Sequence, residues 1–343
     1  MTDPATGAAA PAVPAAPVVD ACALLYDNAS WRAYLRRFTH GAAEYLDVFS
    51  KSFARFFGAD HGAYRAALAD GWEAAVDVLL PRDRPEPDLA AYLADRAAQG
   101  VVAEIAMGSP ERLPDGDTVN DRVLDLTSRF RDRVRVWAGI ALGDTGAALA
   151  ELDRAVRAGA TGLCVIPFLD GTDAADPAHT PVFGAAAEAD LPVWLHTGHH
   201  FAAGRPTGIG SWRTLEALAA RHPRLTLVAG HAGWPDVMET LLTAARHPRV
   251  YLEFSSHRAR NMASPGSGWE PLLHHARTLA RHRVLFGTST WVNPLPVGVL
   301  AAEVEALGLG EEITADWLSG NALRMLDGPR RHRRPAPAVT GTG

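Results

Sequence analysis

Two histidines each close a short apolar run. Residues 192–196 read Pro-Val-Trp-Leu-His and residues 225–231 read Leu-Thr-Leu-Val-Ala-Gly-His, ending in His196 and His231. An imidazole can hold or release a proton near neutral pH. Two imidazoles close together can divide into a neutral base and a protonated acid, a pairing suited to proton transfer, elimination, cyclisation or decarboxylation. Cys22, Leu24 and Ser289 occupy the ends of two further apolar runs. His199 and His200 follow His196 directly and His257 follows another run, so all three can reach the same place. Glu104 lies inside a run, where a buried carboxylate must be paired or protonated; it serves either the chemistry or a structural ion pair. Ser289 and Trp291 offer a hydroxyl and an indole to a neutral or aromatic molecule. His231 and His196 are thus the candidate catalytic pair. Further candidate substrate contacts are Glu104, His199, His200, His257, Ser289 and Trp291.

Elements must bring these residues together. From about residue 99 onward, apolar runs at 100–107, 134–142, 162–166, 192–196, 225–231, 250–255 and 284–288 alternate with amphipathic segments. With 18–24 in front, they predict eight strands, and no Gly-rich phosphate loop follows an early one. The pattern predicts a (β/α)8 TIM barrel, in which catalysis sits at the C-terminal ends of the strands. Helices are expected at 144–158, closing at Gly159, and at 212–221 and 235–246, each followed by His-Pro. Residues 25–99 break the rhythm. Trp31, Tyr34, Leu35, Phe38, Tyr45, Leu46, Phe49, Phe53, Phe56 and Phe57 recur there at helical intervals, predicting a mainly helical insertion after strand 1 that can act as a lid. Most of these aromatics are expected to form a small core over the barrel. Residues 1–16 read as a disordered Ala/Pro-rich tail, 17–327 as the barrel, and 328–343 as a disordered basic tail carrying Arg330, Arg331, Arg333 and Arg334.

The 343 residues are 48% hydrophobic with a net charge of -6, which predicts a soluble globular protein and argues against a nucleic-acid partner. No uninterrupted apolar run has the length of a membrane span. Cys22 and Cys164, both within apolar runs, are expected as reduced thiols in a cytoplasmic protein.

The ordered segments Val18-Val19-Asp20-Ala21-Cys22-Ala23-Leu24, Pro192 through Gly198, Gly230-His231-Ala232-Gly233, Val250-Tyr251-Leu252-Glu253, Leu285-Phe286-Gly287-Thr288-Ser289 and Gly320-Asn321-Ala322-Leu323-Arg324 carry a resemblance. Across about residues 17–327 the chain resembles the amidohydrolase superfamily, in particular the branch of amino-carboxymuconate-semialdehyde decarboxylase and related nonoxidative decarboxylases and hydrolases. The resemblance implies a divalent metal held by two strand-1 histidines, one strand-5 histidine and a strand-8 Asp, with a strand-6 histidine moving protons. At the matching positions stand Cys22, Leu24, His196 and Ser289, with His231 retained, and this match is what makes Cys22 and Leu24 candidate substrate contacts as well. Leu24 has no ligating atom and Ser289 is a weak neutral donor, whereas a hydrolytic zinc normally needs three protein ligands.

The expectation is therefore a metal-independent lyase or cyclase on a degenerate amidohydrolase barrel, with no cofactor, acting on a small molecule through His231 and His196. One alternative is a decarboxylase or hydrolase whose zinc or other divalent metal has moved to a set drawn from Cys22, His196, His199, His200, His231 and His257. Another is a noncatalytic protein that binds a ligand or partner. Relatives often pair, so a homodimer is the assembly the resemblance implies.

Overall fold

A computed structural model describes residues 13–327. The two expected tails fall mainly outside these residues. Eight parallel strands follow one another in space as in sequence: β1 (Val18–Ala23), β2 (Val101–Met107), β3 (Val134–Ile140), β4 (Gly162–Val165), β5 (Val193–His196), β6 (Leu227–Gly230), β7 (Val250–Glu253) and β8 (Val284–Leu285). Backbone bonds from Ala21 N to Phe286 O and from Ser289 N to Cys22 O, both 2.9 Å, bring the chain beyond β8 back to β1 and close the ring. Helices alternate with the strands, making a (β/α)8 TIM barrel. Among the described residues no helix is long and apolar enough to cross a membrane.

The strands are buried on both faces, as parallel strands under a helical layer must be. Their pleat sends alternate residues to opposite sides. Val19, Ala21, Ile105, Met107, Trp137, Cys164, Trp194, Val228 and Leu285 pack together inside the barrel. Val18, Ala106, Ala138, Leu163, Val193, Leu195, Leu227 and Leu252 belong to the larger core under the helices. Helix Thr145–Ala158 shows how local sequence delimits the outer layer. Asp144 accepts from Ala147 N at its start, and Gly159 ends it in the left-handed region at φ 110°.

Glu104 is placed by the same alternation. Ile105 and Met107 take the interior, so Glu104 faces outward and not into the barrel, which corrects its place among the expected substrate contacts and leaves the structural ion pair. It meets Arg96 Nε at 2.6 Å and Tyr92 Oη at 3.3 Å. Arg96 also bonds to Asp20, whose carboxylate accepts from Thr288 N at 2.9 Å and Thr288 Oγ1 at 2.6 Å. Asp20, Arg96 and Glu104 thus form a buried clamp outside the seam between β1, β2 and the end of β8. Burial pushes the Glu104 carboxyl up, and the Arg96 guanidinium opposes that rise.

Between β1 and β2 lie α1 (Asn28–Phe38), α2 (Glu44–Val48), α3 (Ser50–Phe57), α4 (His61–Asp70), α5 (Trp72–Leu79) and α6 (Leu89–Ala98). Their aromatics lock onto the β8 exit: the Phe53 ring stacks on Trp291 at 4.6 Å and 4°, with Phe49 edge-on at 5.1 Å. Their role is broader than a separate small core, because Tyr34, Phe38, Tyr45 and Phe49 also line the cavity beneath.

Candidate active site

That cavity opens at the C-terminal ends of the strands and measures about 340 Å³. Met107, Cys164, Trp194 and Cys22 come from the barrel interior, and the α1–α3 aromatics and Trp291 face them across the space. Of the residues expected to contact substrate or act as catalysts, Cys22, Leu24, His196, His199, His231, His257, Ser289 and Trp291 all line it. Glu104 does not, for the reason given above. His200 does not either: its ring stacks on Phe168 at 5.0 Å and its Nε2 lies 3.1 Å from the Pro206 carbonyl, so it supports the wall from behind.

His196 reaches the interior because it lies two residues after inward-facing Trp194. Its ring stands 4.8 Å from that of His231, edge to face. His231 needs a different device, since it lies three residues after inward-facing Val228. Its backbone adopts φ 62°, in the left-handed region, and its ring packs 5.4 Å from Trp194. Ser256 at φ 69° and Ser289 at φ 47° are also left-handed and also line the cavity. Such conformations disfavour residues with a Cβ, and their concentration at one mouth marks a site where side-chain placement outweighs backbone comfort.

Electrostatically the mouth favours the neutral form of three of its imidazoles, His196, His231 and His257. His231 Nδ1 lies 2.8 Å from the Ser255 carbonyl, an acceptor only, so this nitrogen carries the hydrogen and donates it. Nε2 is left with its lone pair. Burial pulls the His231 value down to about 4. Burial, then the neighbouring His231 and His200, hold His196 well below the usual histidine range. Burial, then His231, takes His257 to about 3 between the Trp234 and Trp269 rings. Behind His231 stands Glu253, fully buried, accepting from Trp194 Nε1 at 3.1 Å and Ser255 Oγ at 2.8 Å. Burial pushes its carboxyl up to about 7, and these donors limit the rise. The Ser255 hydroxyl is also 3.2 Å from His231 Nδ1, so it joins the acid to the imidazole.

Tyr34, Tyr45, Trp194, Trp234, Ser256 and the Glu253–Ser255 pair were not among the candidate site residues; Tyr34 and Tyr45 were expected in the small core over the barrel. One signal for the pair was available. An acid and a hydroxyl two apart on a strand share a face.

As a metal site the mouth is poor in donors. No group of three or more His, Cys, Asp or Glu side chains among the described residues is arranged to hold an ion. Leu24 offers none, Asp20 is engaged outside the barrel, and burial raises the Cys22 thiol well above its ordinary value, disfavouring thiolate. The residues present do not fit the metal set that the resemblance implies.

In a search of solved structures the chain is similar to an uncharacterized TIM-barrel protein from Bordetella bronchiseptica, with 20% identity, TM-score 0.65, and coverage of 91% of this chain and 98% of that one. It is similar to 5-carboxyvanillate decarboxylase from Novosphingobium aromaticivorans, complexed with manganese, at 17% identity and TM-score 0.55, covering 91% and 96% of the two chains. It is also similar to a dihydroxybenzoic acid decarboxylase from Polaromonas with bound manganese and the inhibitor 2-nitroresorcinol, at 15% identity and TM-score 0.55, covering 77% and 93%. These manganese complexes overturn the expectation of a site with no cofactor: decarboxylases on this same fold hold a divalent metal. No curated protein matches the chain. The amidohydrolase family model matches residues 25–328, beginning just past β1. The chain belongs to the amidohydrolase family and is an enzyme of that superfamily.

Proposed function

We propose that this enzyme is a lyase acting on a small aromatic molecule held in the cavity, with His231 as the group that moves the proton. The observation carrying this is the committed Nδ1–H of His231, bonded to the Ser255 carbonyl at 2.8 Å, which leaves Nε2 as a base beside His196. The decarboxylase neighbours support the reaction class. Open space in the mouth favours turnover over a filled, noncatalytic barrel.

In the step, Nε2 of His231 takes a proton from an acidic O–H or C–H of the substrate. The electron pair left behind moves into the aromatic system, where it either expels a group that departs with its bonding pair, or attacks a carbonyl carbon of the same molecule, whose C=O π pair moves to oxygen and takes up the proton. The imidazolium is stabilised by the Ser255 carbonyl at Nδ1 and by Glu253 through the Ser255 hydroxyl, and it then returns its proton to carbon or to the departing group. His196 is close enough to serve as the second acid-base group. Elimination and ring formation begin with this transfer; in decarboxylation the imidazolium delivers the proton to the carboxylate-bearing ring carbon, and the C–C bond pair returns to the ring as CO2 leaves. Helices α1–α3 and Trp291 act as the lid that keeps water out.

The manganese bound in the two decarboxylase neighbours supports a divalent metal as the cofactor, which would supply Lewis-acid polarisation of substrate oxygens. The described residues do not assemble a three-donor set for it, so the step above uses this chain's own groups. The test is hydrogen–deuterium exchange in D₂O at the ring carbons of 1,3-dihydroxynaphthalene, followed by NMR with and without manganese. Exchange above the buffer rate that disappears in His231→Gln supports the proposal. Equal exchange in both proteins sinks it.

A further inference from the structure

Charge is missing from the cavity wall. Among the residues lining it there is no Arg, Lys, Asp or Glu. A buried arginine nearby, Arg37, is already committed: its Nε lies 3.0 Å from Glu111 and a terminal nitrogen 2.6 Å from Asp170. The walls are instead ring faces and edges, Phe38, Phe49, Phe168, Trp194, Trp234 and Trp291 among them. Polar capacity comes from neutral groups, the hydroxyls of Tyr26, Tyr34, Tyr45, Ser256 and Ser289 and the imidazoles. Tyr26 Oη is buried with no hydrogen-bond partner, as is Nδ1 of His196.

We propose that the substrate of this cavity is an uncharged hydroxylated aromatic molecule, and that an aromatic carboxylate is rejected. This rests on reading the cavity as the lyase site, and it narrows the chemistry there to elimination or ring formation. The energetic reason is desolvation. A carboxylate entering an apolar chamber gives up its water, and only a paired cation or a full set of donors offsets that loss. Here no lining side chain carries a fixed positive charge. The His231 imidazole does not replace it, because its Nδ1–H is spent on the Ser255 carbonyl at 2.8 Å and its Nε2 offers a lone pair. A phenolic hydroxyl brings no such penalty: its ring stacks on the walls, and its O–H pairs with an imidazole nitrogen or a tyrosine oxygen.

Two ligands differing by a single carboxylate decide the matter. Calorimetric titration of the full chain at pH 7 with 2-naphthol and with 3-hydroxy-2-naphthoate, each with and without manganese chloride, measures binding independently of turnover. The expected result is 2-naphthol binding about 100-fold or more tightly in both conditions. In Val292→Arg, which adds a cation at a half-buried lining position, the ratio is expected to narrow by about ten-fold or more. A carboxylate that binds the wild-type protein as tightly as the naphthol, in either condition, overturns the proposal, and so does a naphthol that does not bind. Loss of the lyase reading has a different signature, isotope exchange indifferent to His231 with the neutral-ligand preference intact.

Discussion

The carbonyl of Ser255 stands 2.8 Å from Nδ1 of His231, and this contact selects the tautomer of the imidazole. A carbonyl cannot donate, so the ring hydrogen lies on Nδ1 and the free lone pair on Nε2. The partner is backbone, and no side-chain change at position 255 removes it. Substituting the ring tests its role directly. His231→Gln is expected to lower exchange turnover by about 10²- to 10⁴-fold, while 2-naphthol affinity by calorimetry changes only a few-fold. A parallel loss of binding and turnover would instead make His231 a wall of the cavity.

Glu253 and His231 pull acid stability in opposite directions. His231 titrates near 4 in the folded chain against an ordinary 6.5, so the unfolded chain takes its proton first as pH falls. Its contribution, fully present above 6.5, is lost as pH drops from 6.5 to about 4, at up to about 1.4 kcal/mol per pH unit. Glu253 titrates near 7 against an ordinary 4.5. Its contribution is complete below 4.5 and fades as pH rises through 7. Between 4.5 and 6.5 the two slopes oppose each other. Glu253→Gln removes one of them, so urea midpoints of that variant are expected to fall more steeply with acid than wild type across this interval. Parallel profiles would mean that Glu253 is already ionised when buried.

Asp20 is the acid most involved in holding the barrel shut. It accepts from Thr288 through both backbone and hydroxyl, from Cys22 N at 3.1 Å, and from Arg96. Asp20→Asn places an amide against donors and leaves the buried Arg96 with Glu104 alone. Breaking one partner from a buried ion set costs about 3–5 kcal/mol. Chemical denaturation should show a loss of that size. A loss below about 1 kcal/mol, the range of exposed pairs, would show that the clamp is dispensable.

The positions that the sequence left legible are those governed by strict alternation. Trp194 and His196, two apart on β5, share the interior face, and the eight-strand order follows from the spacing of apolar runs. Glu104 was misplaced because its strand reads as apolar throughout, and only the packing of Ile105 and Met107 fixes which parity faces inward. β1 is harder still. Its register with β2 shifts between Asp20 and Ala23, so Ala21 and Cys22, adjacent in sequence, both join the interior cluster. His231 depends on a left-handed backbone that no apolar pattern announces. The helical stripe of aromatics identified α1 to α3 but not which rings would meet the cavity, because one face serves both the core and the chamber.

Trp291 couples the lid to the barrel. It stacks on Phe53 and meets Phe49 and Phe38 edge-on, and it also lines the cavity. Trp291→Ala is expected to cost about 3–5 kcal/mol and to weaken 2-naphthol binding by about ten-fold or more. Trp291→Phe keeps a stacking ring and should recover most of both. If Trp291→Ala loses stability but binds normally, the lid packs through this ring without shaping the chamber.

Metal ligation can be tested by rebuilding what the mouth lacks. Cys22, Leu24 and Ser289 line the cavity together with His196, so Cys22→His, Leu24→His and Ser289→Asp place two imidazoles and a carboxylate beside the retained histidine. Ser289 has φ 47°, a conformation that Asp adopts more readily than most residues, so the backbone favours this exchange. An anionic oxygen and added nitrogens are donors that manganese accepts, whereas the leucine supplies none. The triple variant is expected to bind manganese at least about 100-fold more tightly than wild type in equilibrium titration, with thermal stabilisation by the ion as a second readout. Equal affinities would mean that these positions do not converge on one ion.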